Sequence, residues 1–472
     1  MSTAPPVPDG RVLSTMMEDG SRRWLHPRLA VGFYLRARRI LAYALIAIFT
    51  LLPYLKMHGK PVVLLDLPHR EFTILGFVFL STDSLLLALA LIALVVGICL
   101  VTALAGRVWC GWMCPQTVYM EFIFRPIERL FDGPPAAQHR PGRKRTMPRT
   151  VVKYAVYLLV SAYLAHTFLA YFVGVEALAL WVRRSPFAHP VSFLVMLAVT
   201  GLMMFDFTYF REQMCIVACP YGRFQSVMID RNSLIVSYDP RRGEPRGKPG
   251  DRKSHASHGD CIDCRLCTDT CPTGIDIREG LQLECIACTQ CIDACNGVMQ
   301  RIGKPPGLIR LSSQAAIEGG TGRWLRLRVL LYPALMLVLA TAFLVVLFNK
   351  KVADVTILQG LGLPCSETSQ GEITNQVRVI IENRSGRDAI YTIEVADKAQ
   401  AHFAREQEPI FLPAGQTAKM PVAIVAPAAA FVQGIHDIQL RVSDDKSFKQ
   451  DTACRLLGPV RRPAANPSGT SP

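Results

Sequence analysis

The clearest chemistry in this 472-residue chain lies in two short cysteine runs. Cys261, Cys264, Cys267 and Cys271 are spaced Cys-x2-Cys-x2-Cys-x3-Cys and are followed by Pro272. Cys285, Cys288, Cys291 and Cys295 repeat that spacing, with Asn296 in place of the proline. Three closely spaced thiolates wrap one corner of an iron–sulfur cube, and the fourth iron takes its ligand from elsewhere. In two-cluster domains the fourth cysteine of each run serves the other cluster. The spacing therefore predicts two [4Fe–4S] clusters, one on Cys261, Cys264, Cys267 and Cys295, the other on Cys285, Cys288, Cys291 and Cys271. Paired Cys-x2-Cys also reads as a zinc site, but zinc takes four thiolates per ion and has no use for the repeated x3 interval. Pro272 frees the chain from helical geometry after the fourth ligand. Asn296 changes that local turn without removing a ligand.

Two further pairs have a different spacing. Cys110 and Cys114 precede Pro115, and Cys215 and Cys219 precede Pro220. Each pair follows an apolar run, so four sulfurs converge at a membrane surface if the two ends meet. Such a set can hold Cu(I), shuttle electrons as thiol and disulfide, or bind a further cluster. The residue types do not choose among these. Weaker candidates are His166, Met196, Met203, Met204 and Met214, which are read first as hydrogen-bonded or gap-filling bundle residues. Asp206 is expected to pair with Arg211 or face water. Cys99 reads as packing, and Cys365 and Cys454 are the cysteines of the tail, with no spacing that demands a disulfide.

The elements that position these groups are mostly apolar helices. Half of the residues are hydrophobic, 19% are charged, and mean hydropathy is +0.26. An ordinary soluble domain carries about 25% charge. Five runs read as membrane spans: Ile40–Leu55, Leu85–Ala105, Val151–Val173, Val191–Phe210 and Val329–Phe348. Phe72–Leu80 is too short to span and reads as interfacial or packed on the bundle. No small-x-small cleavage pattern follows the first run, which reads as an uncleaved start-transfer span.

Net charge is +15, yet the tail from Lys351 holds 13 basic and 13 acidic residues, so the excess lies before it. Lys and Arg number seven in residues 1–39, three in 56–83, nine in 106–153, two in 174–189 and seventeen in 211–328. Rich and poor segments alternate, as the positive-inside rule requires. They place the N-terminus, the second connection (with Arg140, Arg143, Lys144, Arg145 and Arg149) and the cluster region in the cytoplasm, and the tail outside. Cytoplasmic reducing conditions keep cluster thiols free. Basic residues that alternate with spans form no separate nucleic-acid-binding domain, so no nucleic-acid partner is expected. Basic stretches near the clusters suit an acidic electron donor.

The tail alternates as strands do. Val377, Val379 and Ile381 share a face, as do Tyr391, Ile393 and Val395, then Met420, Val422 and Ile424, then Ile438, Leu440 and Val442, with turn residues between. A small β-sandwich follows, and the last dozen residues read as disordered. The predicted organisation is a cytoplasmic segment 1–39; spans 1–4 within 40–210; a cytoplasmic region 211–328 with an α+β two-cluster ferredoxin-like domain at about 255–305; a fifth span 329–348 completing a five-helix transmembrane bundle; an all-β domain 349–460; and the tail 461–472.

The motifs Gly106-Arg107-Val108-Trp109-Cys110-Gly111-Trp112-Met113-Cys114-Pro115-Gln116-Thr117-Val118 and Cys215-x3-Cys219-Pro220-Tyr221-Gly222-Arg223-Phe224-Gln225, the double ferredoxin run and the β-rich tail together resemble the cytochrome c oxidase accessory protein family (CcoG, also called FixG or RdxA). The likeness runs from about Tyr34 to Pro459. It implies a multi-pass protein of the bacterial cytoplasmic membrane with an immunoglobulin-like periplasmic domain. It also implies reduction of Cu(II) to Cu(I) for assembly of the cbb-type oxidase, with copper-delivery or oxidase-assembly partners. The span portion is also similar to membrane quinol dehydrogenases of the NapH type. Two other functions therefore stay open: a quinol dehydrogenase-type electron carrier and a non-enzymatic copper-handling scaffold.

Overall fold

The structure is a computed structural model. It describes residues 11–459, apart from 18, 58–59, 68–70, 76, 81–83, 135–146, 248–258, 321–326, 350–351, 361–364, 369–370, 386, 398 and 447. The basic cluster Arg140 to Arg145 and the tail 461–472 lie outside the described residues. The chain divides into two compact units, residues 1–69 with 85–343, and residues 70–84 with 344–472.

In the first unit, α1 (Phe33–Leu51), α2 (Ser84–Ala105), α3 (Met147–Val173) and α4 (Pro190–Phe205) are the long helices. A further helix, α5 (Leu327–Phe348), leads into the second unit. Their sequences are rich in Leu, Ala, Val and Ile. Among the described residues four helices are long and apolar enough to cross a membrane: Leu85–Ala105, Met147–Val173, Pro190–Phe210 and Val329–Phe348. Helix α1 does not join them. It starts seven residues before the expected apolar run, and Arg36, Arg38 and Arg39 occupy its first two turns. Its start is pinned instead: the carboxylate of Asp293 accepts hydrogen bonds from the Tyr34 and Leu35 N–H groups at 3.2 and 2.7 Å. A carboxylate there satisfies orphan N–H groups and opposes the helix dipole. Gly32 is required beside it, because a Cβ would collide with the Asp293 side chain.

Asp293 belongs to α6 (Gln290–Arg301), the main helix of the cysteine-rich region. That region is closed by an antiparallel pair, Ile235–Tyr238 with Ile309–Ser312, which brings the chain before the first cysteine run against the chain after the second. Its core mixes hydrocarbon with sulfur: Val236, Ile275, Ile292, Met299 and Ile309 pack with Cys261 and Cys267, and Cys271, Cys285, Cys291 and Cys295 border them.

The second unit contains the hairpin Glu71–Ile74 with Phe77–Leu80. The short apolar run that read as interfacial or bundle-packed is thus a pair of strands, as its aromatic and β-branched residues favour. The rest is a two-sheet β domain. One sheet orders β1 (Ala353–Gln359), β2 (Glu372–Asn383), β6 (Thr417–Pro427) and β4 (His402–Phe403), with Ser366–Glu367 also paired to β2. The other orders β5 (Ile410–Leu412), β3 (Ala389–Val395), β7 (Ile435–Asp444) and β8 (Lys449–Leu457). The residues expected on the inner faces are there: Val377, Val379, Ile381, Tyr391, Ile393, Val395, Val422, Ile424, Ile438, Leu440 and Val442 are buried, with Met420 packed against them. Cys454 sits in that core, and it and Cys365 are unbridged.

Candidate functional site

The two cysteine runs fold as near copies. Each residue of the first lies 24 positions before its counterpart in the second. The copy extends to the backbone: Asp263 and Arg265 flank Cys264 with φ of 51° and 56°, and Ala287 and Thr289 flank Cys288 with φ of 53° and 62°. Non-glycine residues rarely enter this left-handed region. Alternating left- and right-handed residues turn successive N–H groups to one side and form a concavity that favours negative charge. The Ala287 N–H faces the Cys285 sulfur, and the Gln290 N–H faces the Cys288 sulfur. A short helix, Leu266–Asp269, follows the first loop as α6 follows the second.

Two cavities lie among these sulfurs. One is lined by Cys261, Cys264, Cys267 and Cys295, together with Tyr238, Arg278 and Met299. The other is lined by Cys271, Cys285, Cys288 and Cys291, with Cys267 on its edge. Each therefore takes three cysteines from one run and the fourth from the other. Four sulfurs around an apolar hollow, with N–H groups aimed at them, fit an iron–sulfur cube. Burial pushes the Cys267 and Cys285 thiols up to about 11, and the Cys288 and Cys295 thiols up to about 12. Ionising them calls for a cation, which bound iron supplies. Cys264 is the exposed cysteine of the eight. Arg278 closes the floor of the first loop through Asp276 and Asp263.

The membrane-edge pairs follow the ends of α2 and α4. Cys110 lies in a short helix, Val108–Trp112, and Cys215 in a π-helical turn, Met214–Ala218. Cys114 and Cys219 are extended (ψ 127° and 108°) and cap the helices that Pro115 and Pro220 begin. The prolines explain this: they exclude helix at the residue before them and suit the first helical position. The two pairs do meet. Cys110 and Cys215 belong to one apolar cluster with Ile286, Cys288 and Tyr221, and Cys114 and Cys219 are close enough for each charge to oppose the other. Burial, reinforced by the neighbouring sulfurs, pushes the Cys215 thiol up to about 12. Among the described residues no three or more His, Cys, Asp or Glu side chains close on one point tightly enough for a single metal ion.

The contact between this edge and the second cysteine run depends on residues that spacing alone did not single out. A Cβ on Gly111 would lie 2.5 Å from the Ile286 carbonyl oxygen, so glycine lets the two loops touch. Trp112 Nε1 donates to the Ala287 carbonyl at 3.3 Å. Buried Arg38 donates through Nε to the Gly111 carbonyl at 3.0 Å. Arg107 donates to the Leu283 carbonyl and sets its charge near both Cys110 and Cys285. Gln225 contacts the Cys110 sulfur at 2.9 Å through Oε1, while its amide nitrogen donates to Thr102 at 3.0 Å and to Tyr221. The detectable signal was a glycine between Cys110 and Trp112 and charged or amide residues inside both motifs.

Of the two expectations for Asp206, pairing with Arg211 or facing water, the pairing is not found: Arg211 is paired with Glu128 at 2.7 Å, and Glu212 and His26 join the same buried group. Burial raises the Glu128 carboxyl, but the His26 hydrogen bond and the Arg211 charge outweigh it and hold it well below the usual carboxylate range. His166 Nδ1 lies 2.8 Å from the Ala162 carbonyl. Met203 and Met204 pack against Tyr119, Phe124, Tyr157 and Phe207, while Met214 is partly exposed and Met196 lines a separate cavity.

Comparison with known proteins agrees with this geometry. A 4Fe-4S dicluster domain family matches residues 210–314, a 4Fe-4S binding domain family matches residues 87–134, and the family of the IG-like fold at the C-terminus of FixG matches residues 343–459. Protein RdxA of Cereibacter sphaeroides is 33% identical over 393 residues, covering 79% of this chain and 82% of the relative. Protein RdxB of the same organism is 34% identical over 405 residues, covering 81% and 84%. The nitrogen fixation protein FixG of Rhizobium meliloti is 34% identical over 321 residues, covering 64% and 60%. With its twin cysteine loops, apolar helices and immunoglobulin-like tail, this chain belongs to the FixG/RdxA family of iron–sulfur membrane proteins.

Proposed function

We propose that the protein carries single electrons across its membrane-edge face and reduces Cu(II) to Cu(I) for assembly of a cbb-type cytochrome oxidase. Two [4Fe–4S] clusters, one on Cys261, Cys264, Cys267 and Cys295 and one on Cys285, Cys288, Cys291 and Cys271, supply one-electron storage and relay when bound. The exposure of Cys264 favours electron entry on the side of the first set, from a cytoplasmic donor. Ile286, Ala287 and Trp112 keep the path between Cys288 and Cys110 dry and short. Arg38 and Arg107 hold the two loops together and lend positive charge to the sulfurs. Cys110, Cys114, Cys215 and Cys219 are the exit, where soft thiolates favour Cu(I) over Cu(II). The balance is one electron out of the protein for each Cu(II) reduced.

The observation that carries this reading is the packing of Cys110 and Cys215 on Ile286 and Cys288, which joins the exit to the second cysteine run. Copper itself comes from the family resemblance. The Lys/Arg alternation supports a cytoplasmic cluster region and a tail on the outer face; that topology takes a fifth crossing beside the four apolar helices, for which the apolar part of α1 after Arg39 is the segment left.

The test is anaerobic mixing of dithionite-reduced, desalted protein with Cu(II), following cluster absorbance and a Cu(I) chelator together. Cluster oxidation should match Cu(I) formed, one for one. Replacing all four membrane-edge cysteines by alanine should slow the transfer and leave iron content nearly unchanged. Clusters that stay reduced in excess Cu(II) defeat the reductase reading and favour a copper-handling scaffold. Full-rate transfer without the four cysteines places the exit elsewhere.

A further inference from the structure

A second kind of site lies at the opposite end of α4 from its cysteines. A cavity of about 210 Å³ opens between α3, the short helix Val175–Trp181 and the start of α4. Its walls are mainly apolar, and three side chains with metal-binding atoms line it: His166 of α3, His189 at the N-cap of α4, and Met196. Seven residues make close to two helical turns, so His189 and Met196 lie near one face of α4, the helix packed against α3.

Each donor is held. His166 Nδ1 sits 2.8 Å from the Ala162 carbonyl. A carbonyl only accepts, so Nδ1 carries a proton, and in the neutral ring the free lone pair is then on Nε2. Metal-binding imidazoles are commonly oriented by such a bond from the other ring nitrogen. The His189 ring stacks on Trp181, with centroids 4.2 Å apart and planes at 18°, which fixes the ring plane and leaves its nitrogens at the edge. The Thr200 hydroxyl donates to the Met196 carbonyl at 2.8 Å and lies 3.6 Å from the Met196 sulfur, which keeps its lone pairs. Among the described residues no carboxylate lines the cavity, and the one cationic side chain there, Arg184, is exposed. Calcium and magnesium need oxygen ligands, and thioether donors select soft ions.

We infer that His166, His189 and Met196 form a Cu(I) site at the end of α4 remote from the cysteine pairs. The inference deepens the copper reading and rests on it for the source of the ion, while the donors select a soft ion by themselves. The helix runs on from Met196 to Phe210, about 20 Å at helical rise, and Cys215 lies beyond its break at Arg211, so this is a second station and not part of the sulfur exit. Met203 continues the same face two turns further toward that exit.

The test is anaerobic Cu(I) titration of the full-length protein in detergent against a chromophoric Cu(I) chelator. The background protein has Cys110, Cys114, Cys215 and Cys219 replaced by alanine, so that the membrane-edge thiols do not compete. It should retain one Cu(I) per chain. His166→Ala or Met196→Leu should then weaken binding about tenfold or more, with iron content unchanged. Full affinity in both variants, or no Cu(I) retained by the background, overturns the site. In the unmutated protein Cu(I) should also protect His189 from acylation by diethyl pyrocarbonate, read by mass spectrometry. Absence of protection overturns the site without relying on any variant, and equal protection by Zn(II) overturns the choice of ion. Failure of the reductase reading is seen separately, as clusters that remain reduced in Cu(II), and leaves these binding results intact.

Discussion

The cysteine-rich region and the β domain solve the same problem with different materials. The β domain fills its interior with side chains: nineteen buried residues, all but Ala401 from the strands of the two sheets, form its core, among them Tyr391, Ile424, Leu440 and Leu456. The cysteine region has only one helix longer than two turns within residues 259–312, and its interior contains two sulfur-lined hollows. Hydrocarbon packing stabilises the first by removing apolar surface from water. The second buries thiols and strained left-handed residues around space, so its stability is coupled to what fills that space. The lesson is that a region can be well specified in sequence and still depend on a cofactor to be a stable structure.

The largest test of this contrast is iron removal. Chelation of the full-length protein under reducing, mildly denaturing conditions should abolish hydrogen-exchange protection across residues 261–300. Strands β2, β3, β6 and β7 should keep theirs. Equal loss in both regions, or none in the cysteine region, would break the comparison.

Single-cysteine changes divide the dependence further. Two four-iron clusters imply about eight irons per chain. Cys271→Ala should damage mainly the set built on Cys285, Cys288 and Cys291, and Cys295→Ala mainly the set built on Cys261, Cys264 and Cys267. Each should lose about four irons first. Stoichiometric zinc with little iron in fresh anaerobic protein would remove the cluster reading altogether.

Charge offers a third kind of interior. Glu128→Gln leaves Arg211 buried with a weaker partner and should cost about 3–5 kcal/mol, measured by thermal or denaturant unfolding. The sign with pH is fixed by the depressed carboxyl. A depressed folded value contributes stability above the ordinary carboxylate range, which is lost as pH falls through and below it. The wild type should therefore lose stability on acidification more steeply than Glu128→Gln. Parallel curves would show that this pair does not govern acid stability.

The smallest expected effect belongs to the hydrocarbon core. Leu440→Ala should destabilise the β domain by about 2–5 kcal/mol through lost transfer energy and a residual cavity. Iron content should stay at its wild-type value. A fall in iron on this substitution would mean that the two regions do not stand independently, and the contrast drawn above would have to be given up.

Much of this organisation was legible in the residues. Alternating valines and isoleucines gave the inner faces of the sandwich, because a strand's period of two maps directly onto buried and exposed sides. Four of the five apolar runs became helices long enough to span, because length and hydropathy decide that property. Helix α1 departed from its expected limits because a distant carboxylate, Asp293, sets its start, and no local pattern encodes that contact. The hairpin at Glu71–Ile74 and Phe77–Leu80 was hidden because a short apolar run has no period long enough to distinguish strand from packed helix.

The sequence by itself determined the ligand types, the repeated 24-residue register of the two cysteine runs and the extended cysteine before each proline, since these depend on covalent spacing and local sterics. Only the tertiary structure decided which residues meet. It brought Cys110 and Cys215 onto Cys288 through Gly111, joined Arg211 to Glu128, and gathered His166, His189 and Met196 around one cavity. The physical reason is range. Torsional preferences and ligand spacing act over a few residues, whereas contact between residues tens to more than a hundred positions apart is set by how packed helices and loops fill space together.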